Sequence, residues 1–164
     1  MQSGETVLRT LKTLLVAGMA LVLTLAVLGN VTMPHTGYAA VSTAMGMQTT
    51  YRNPHAMWRA IQDPVLIWAA FGLIVLSEAT SAVFSWIAAA RLWRARGQKE
   101  QFSAAKSTAY LGLGVAACLY FIIFLVIAQE YFLMWQSTKL NVLQDAFRLF
   151  ASAILIALWL GTDD

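Results

Sequence analysis

Four apolar runs, each long enough to form a helix across ~30 Å of hydrocarbon, take up most of this sequence and leave little else to fold. They cover approximately 12–30, 65–91, 107–135 and 142–161. The rest of the chain is too short and too poor in charge to wrap them in a water-facing layer. Of its residues 59% are hydrophobic and 12% charged, against about 45–50% and about 25% in ordinary soluble domains. Eleven Lys and Arg and eight Asp and Glu cannot cover the large surface of so small a domain. The expected fold is all-α: one integral membrane domain, 1–164, built as a four-helix transmembrane bundle.

The charges sit between the runs, where they set topology rather than bind nucleic acid. With the N-terminus inside, Arg9, Lys12, Arg91, Arg94, Arg96, Lys99 and Lys106 are cytoplasmic, and Arg52, Arg59, Lys139 and Arg148 are outside. Seven against four favours a multi-pass protein with both termini cytoplasmic. No basic stripe interleaves with stacking aromatics, so no nucleic-acid partner is expected. The first run, preceded by Arg9 and Lys12, resembles a secretory signal but reads as an uncleaved anchor. Cys118 is the sole cysteine. It excludes an intrachain disulfide and, inside an apolar run, reads as a buried small hydrophobe.

The connection between the first two spans is punctuated by Pro34 and Gly37. Asn53-Pro54 is a helix-start signal, and it predicts a short interfacial helix over 54–61 with Met57, Trp58 and Ile61 on one face. Asp63-Pro64 repeats the signal at the head of the second span. Gly97 breaks the chain after that span. The third run is longer than the bilayer requires and is expected to tilt or project. Asn141 with Gln144 predicts the cap of the fourth.

Glu78 is the most informative single residue. It falls near the middle of the second span, where an ionised side chain costs about 2.5–3.5 kcal/mol on insertion scales. It must therefore be protonated, paired or turned toward a polar interior. Ser77, Ser81 and Ser85 recur around it at helical spacing, a small-residue stripe that lets another helix approach. Gly112 with Ala116, or Gly114 with Cys118, could supply the facing surface. Glu78 and these serines form the expected polar seam, either structural or a proton or ion site. Glu130 and Arg148 are expected to pair on the outer side, with Arg59 as the other candidate partner for Glu130. His55, Trp58, Trp135 and Gln136 are candidate outer-side ligand contacts, in a region also rich in Tyr51 and Tyr131. His35 and His55 lack metal-ligand spacing, and no metal or other cofactor is expected. There is no nucleophile elbow, phosphate loop or HExxH motif, so no enzyme is expected.

The run Gln129-Glu130-Tyr131-Phe132-Leu133-Met134-Trp135-Gln136-Ser137, with Asn141 and Ala146-Phe147-Arg148 beyond it, resembles a bacterial family of predicted small integral membrane proteins, domain of unknown function 2165. Met47 to Thr50, Trp58-Arg59-Ala60-Ile61 and the position of Glu78 extend the resemblance over nearly the whole chain. It implies a four-helix fold in the bacterial cytoplasmic membrane and brings no activity with it. Three functions fit the residues. The first is a non-enzymatic accessory or scaffold subunit, in contact with membrane lipid and assembled with other membrane subunits or as a homo-oligomer. The second is a small proton- or cation-coupled transporter or channel using Glu78. The third is a lipid- or quinone-binding subunit.

Overall fold

Without water to satisfy exposed peptide groups, each run has to close its own backbone hydrogen bonds, and each does so as a helix. The computed structural model describes residues 2–163. Helix α1 spans Gln2–Thr32, α2 Pro34–Met45, α3 Pro64–Ala95, α4 Lys99–Cys118 and α5 Leu143–Gly161. Between α4 and α5 lies a π-helical segment, Leu119–Tyr131, and the connections hold two 3-10 turns, Met57–Arg59 and Met134–Gln136. Among the described residues four helices are long and apolar enough to cross a membrane: α1, α3, α4 with its π continuation, and α5.

The lengths are unequal. The 19 residues of α5 span about 28 Å at ~1.5 Å per residue, close to the ~30 Å core, whereas the 32 residues of α3 reach about 48 Å. The third span handles its surplus by rewinding. Its second half follows i→i+5 bonding, ending with Phe132 N–H on the Ile127 carbonyl at 3.0 Å, a wider and shorter helix than the expected continuous α-helix.

Helix α3 is the hub, packed mainly on α4 and α1, while α5 closes the bundle against α4 and the π segment. Small residues make these crossings close. Ala82, Ser81, Ser85, Ala88, Ala89, Ala109, Gly112 and Ala116 are buried between the helices, whereas Leu25, Leu28, Leu76, Leu155 and Leu158 point outward. This inverts the usual order because lipid, unlike water, gives large apolar side chains no reason to hide. Intrahelical bonds quiet several hydroxyls: Thr13, Thr24, Ser77 and Thr80 each donate to the carbonyl four residues back.

Both termini lie at one end of the bundle, and cations tie that end together. Lys12, fully buried, donates to the carbonyls of Thr162 at 2.8 Å and Asp163 at 3.2 Å just past the end of α5. Lys106 reaches the same Thr162 carbonyl at 3.4 Å, and Arg9 donates to the Arg96 carbonyl beyond α3 at 3.3 Å. Positive charge at helix C-termini complements their unsatisfied carbonyls.

The first connection departs from expectation. Its helix is α2, over Pro34–Met45, not 54–61. Pro34 fits the first helical turn, where a missing N–H costs nothing. Gly37 is required because the Phe71 ring occupies the space that a Cβ would need. Over 54–61 the regular structure is only a 3-10 turn, Met57–Arg59: the Asn53 side chain accepts the His55 N–H as a cap would, but the turn ends at Ala60, whose N–H closes on the Met57 carbonyl and whose backbone is extended. Asp63 does cap α3, accepting from Val65 N at 2.8 Å and Leu66 N at 3.1 Å. Asn141 accepts the Leu143 N–H, but it is not the expected cap of α5: the N-cap position is Val142, which makes no side-chain capping bond.

The α3–α4 crossing sets a testable limit. A Cβ on Gly112 would lie 2.5 Å from Ser85 Oγ and 2.9 Å from Ser85 N, whereas one on Gly114 meets nothing within 4 Å. Gly112→Val is expected to destabilise the bundle by about 1–3 kcal/mol, and Gly114→Val to leave it nearly unchanged. Unfolding titrations of the two variants in the same detergent measure the difference, and equal midpoints would refute the close-crossing account.

Candidate functional site

The burial of Glu78 requires partners, and two helices besides its own supply them. The Asn30 Nδ2 at the end of α1 donates to Glu78 Oε2 at 2.9 Å. The Tyr120 hydroxyl, at the start of the π segment, donates to Glu78 Oε1 at 3.2 Å. Glu78 is 5% exposed and Tyr120 4%. Each carboxylate oxygen thus holds one neutral donor, and the remaining lone pairs of the carboxylate are left for the space beside it.

That space is a cavity of about 460 Å³. Asn30, Glu78 and Tyr120 meet at it. Its walls are Gly37, Ala40, Val41 and Ala44 of α2, Phe71 and Ile74 of α3, Phe124 and Ile127 of the π segment, and Ala146 and Leu149 of α5. The cavity exists because α2 presents small residues at helical spacing and packs on α3 and α1 rather than on α5. Toward the termini, Ser81, Ala82, Leu113 and Ala116 fill the bundle, so the polar group lies at a closed floor rather than along a passage.

The second connection borders the cavity, and the first is tied to it. Phe132 and Met134 line it from the second, together with Leu140 and Val142. Ser137 Oγ and Thr49 Oγ1 share a hydrogen bond of 2.6 Å, and the Tyr51 N–H donates to Gln136 Oε1 at 3.2 Å. Ring pairs Tyr51–Trp135 and Trp58–Tyr131 meet edge to face. Among the described residues the non-glycine positions with positive φ are Met47, Arg52 and Leu133, and all lie in these connections. Left-handed backbone at such residues is strained and is held only by its surroundings.

The residues singled out from sequence separate into distinct places. Ser81 and Ser85 are buried against α4, where Ser81 Oγ donates to the Gly112 carbonyl at 2.6 Å. Ser77 is not part of that seam. It bonds its own helix and borders a shallow outer groove with Gly114 and Cys118. Cys118 is exposed rather than buried, since the face of α4 that reaches α3 is that of Gly112 and Ala116. The Glu130–Arg148 pair does not form. Arg148 takes Asp145, three residues back, at 3.1 Å, and Glu130 accepts from Gln129 at 2.8 Å. Arg59 instead donates to the Tyr131 carbonyl and lies over the Trp58 and Tyr131 rings.

His55, Trp58 and Trp135 are exposed and, like Gln136, do not line the cavity. His35 stands edge-on to Trp68. Sequence reasoning passed over Asn30 and Tyr120. Asn30 is a polar side chain at the end of the first apolar run and Tyr120 a hydroxyl inside the third, and their hydrogen-bonding groups are the signal by which they could have been paired with Glu78.

A family model described as predicted small integral membrane protein (DUF2165) matches residues 8–162. No curated protein and no solved structure matches the chain.

The floor of the cavity can be tested as a network. Tyr120→Phe and Asn30→Ala are each expected to cost about 1–3 kcal/mol by leaving a buried carboxylate oxygen without its donor. In a Glu78→Ala background both costs should largely vanish, which a double-mutant cycle measures. Undiminished costs in that background would mean that the two side chains act through packing alone.

Proposed function

This chain belongs to the family of predicted small integral membrane proteins (DUF2165), and we propose that it is a non-enzymatic membrane subunit that binds an amphipathic, lipid-like molecule within its own bundle. One observation carries this reading: a single carboxylate at the floor of a cavity whose other walls are almost entirely hydrocarbon. Binding sites for small molecules have this composition, apolar walls for affinity and a few placed polar groups for orientation. Phe132, Met134, Leu140 and Val142 border the cavity toward the aromatic end, while the side between α2 and α5 has no helix contact comparable to the other crossings. Access for the ligand is therefore sideways, from the bilayer.

Glu78 acts here by binding, with no nucleophile placed against it. A conduction pathway has less support, because small buried side chains fill the bundle beyond Glu78 toward the termini. Membership of a larger assembly is compatible with this role. The groove bordered by Ser77, Gly114 and Cys118 is on the outer side of Leu73 and Ile123, which also line the cavity, and offers α3 and α4 a surface on which to meet a neighbour.

Native mass spectrometry after gentle extraction tests both parts of the proposal. The wild type is expected to retain a lipid-like adduct that Val41→Trp, which fills the cavity from α2, releases. An identical adduct in the variant would remove the ligand-binding reading. A strictly monomeric, partnerless protein would remove the subunit reading and leave ligand binding standing.

We also propose that the end carrying both termini faces the cytoplasm, on the strength of its seven Lys and Arg against four at the other end. Reporter fusions after Thr162 and within 137–141 distinguish the two faces. A periplasm-active fusion after Thr162 would reverse the assignment.

A further inference from the structure

The cavity has a sign as well as a shape. The charged residues among those lining it are Glu78 and Asp145, both acidic. Asp145 is at its rim, strongly exposed and paired with Arg148, so its charge is spent in a surface pair of little energetic weight. Glu78 is different. Its hydrogen-bond partners Asn30 and Tyr120 are both neutral donors, and neither of the salt bridges formed by described residues involves it. A carboxyl taken out of water either holds its proton or calls for a counter-charge, and the lining residues provide no such charge, so an arriving cation is what would let Glu78 ionise. Four aromatic rings, Phe71, Tyr120, Phe124 and Phe132, also border the space, with Tyr120 and Phe124 packed at a centroid distance of 5.6 Å. Ring faces attract organic cations, most strongly where water is excluded.

A bare metal ion does not fit this lining. Calcium takes about six to eight oxygen ligands, and the floor offers only Glu78, the Asn30 amide oxygen and the Tyr120 hydroxyl. The remaining surface is carbon, which suits the substituents of an organic cation. We propose that the cavity is a site for a lipophilic organic cation, with its ammonium or phosphonium centre against Glu78 and its hydrocarbon or aryl groups along the apolar walls. This rests on the ligand-binding reading above and narrows it, since a cation can pair with Glu78 whereas a quinone or a neutral lipid would leave it protonated and without a charge to read.

The experiment uses the full chain in nanodiscs of zwitterionic lipid, with empty nanodiscs as background. Labelled tetraphenylphosphonium and labelled dodecanol are bound in parallel. The expected result is saturable binding of tetraphenylphosphonium that dodecyltrimethylammonium displaces and dodecanol and dodecyl sulfate do not. Glu78→Gln, which keeps the shape of the side chain, should weaken it by about tenfold or more, and Val41→Trp should abolish it. If Glu78→Gln fails to fold, the competition series on the wild type decides alone. Saturable dodecanol binding that matches or replaces that of the cation, and is lost in Val41→Trp, would overturn the charge selection and leave the amphiphile site intact. Saturable binding of neither probe would overturn both.

Discussion

Glu78 holds together three parts of the chain that hydrophobic packing alone would leave loosely aligned. A span made of Leu, Val and Ile can rotate against its neighbours at little cost, because lipid and protein offer it similar surroundings. The hydrogen bonds from Asn30 and Tyr120 to the two oxygens of one carboxylate remove that freedom. They fix the end of α1, the middle of α3 and the start of the π segment at a single point. The change in winding begins beside Tyr120, so the segment that lines the cavity starts from the residue that anchors it.

The two ends of the bundle then follow different rules. At the terminal end, Arg9, Lys12 and Lys106 donate to carbonyls beyond α3 and α5, so positive side chains complete the helix ends and pull them inward. At the other end the one comparable contact among the described residues is Arg59 on the Tyr131 carbonyl at 3.5 Å. There α2 takes the position beside α3, its small residues face inward, and the gap is spanned by the connections 46–63 and 132–142. Closure at one end and space at the other are one feature, since four helices pinned near their termini can diverge elsewhere only if something roofs the divergence. The Thr49–Ser137 and Tyr51–Gln136 hydrogen bonds are that roof. The run Gln129 to Ser137, which carries the family resemblance, supplies half of it.

What was legible in the sequence was what depends on composition and helical period. The four spans follow from run length, Glu78 stands out as a charge in hydrocarbon, and the spacing of Ser81 and Ser85 anticipated a close helix crossing. What was not legible depends on a distant residue. Pro34 and Gly37 look like helix breakers until Phe71 is seen against Gly37. Arg9 and Lys12 read as solvated flanks until the carbonyls beyond α5 and α3 arrive beside them. Arg148 looked free to reach Glu130, yet a partner three residues away on its own helix costs less ordering than one on another element. Ser77 shows the limit of a periodic stripe: the same spacing places it one turn beyond the crossing, facing the outer groove.

The strain in the roof bears on how such a cavity could be filled. Met47, Arg52 and Leu133 hold left-handed conformations that side-chain-bearing residues adopt only when their surroundings enforce them. Leu133 stands between Phe132 and Met134, and both of these line the cavity. Its conformation turns the chain sharply enough for both neighbours to face inward. If Leu133 relaxed to an ordinary backbone, at least one of them would be displaced from the cavity. The constrained connections on one side and the sparse contact between α2 and α5 on the other thus give the walls of the cavity unequal freedom.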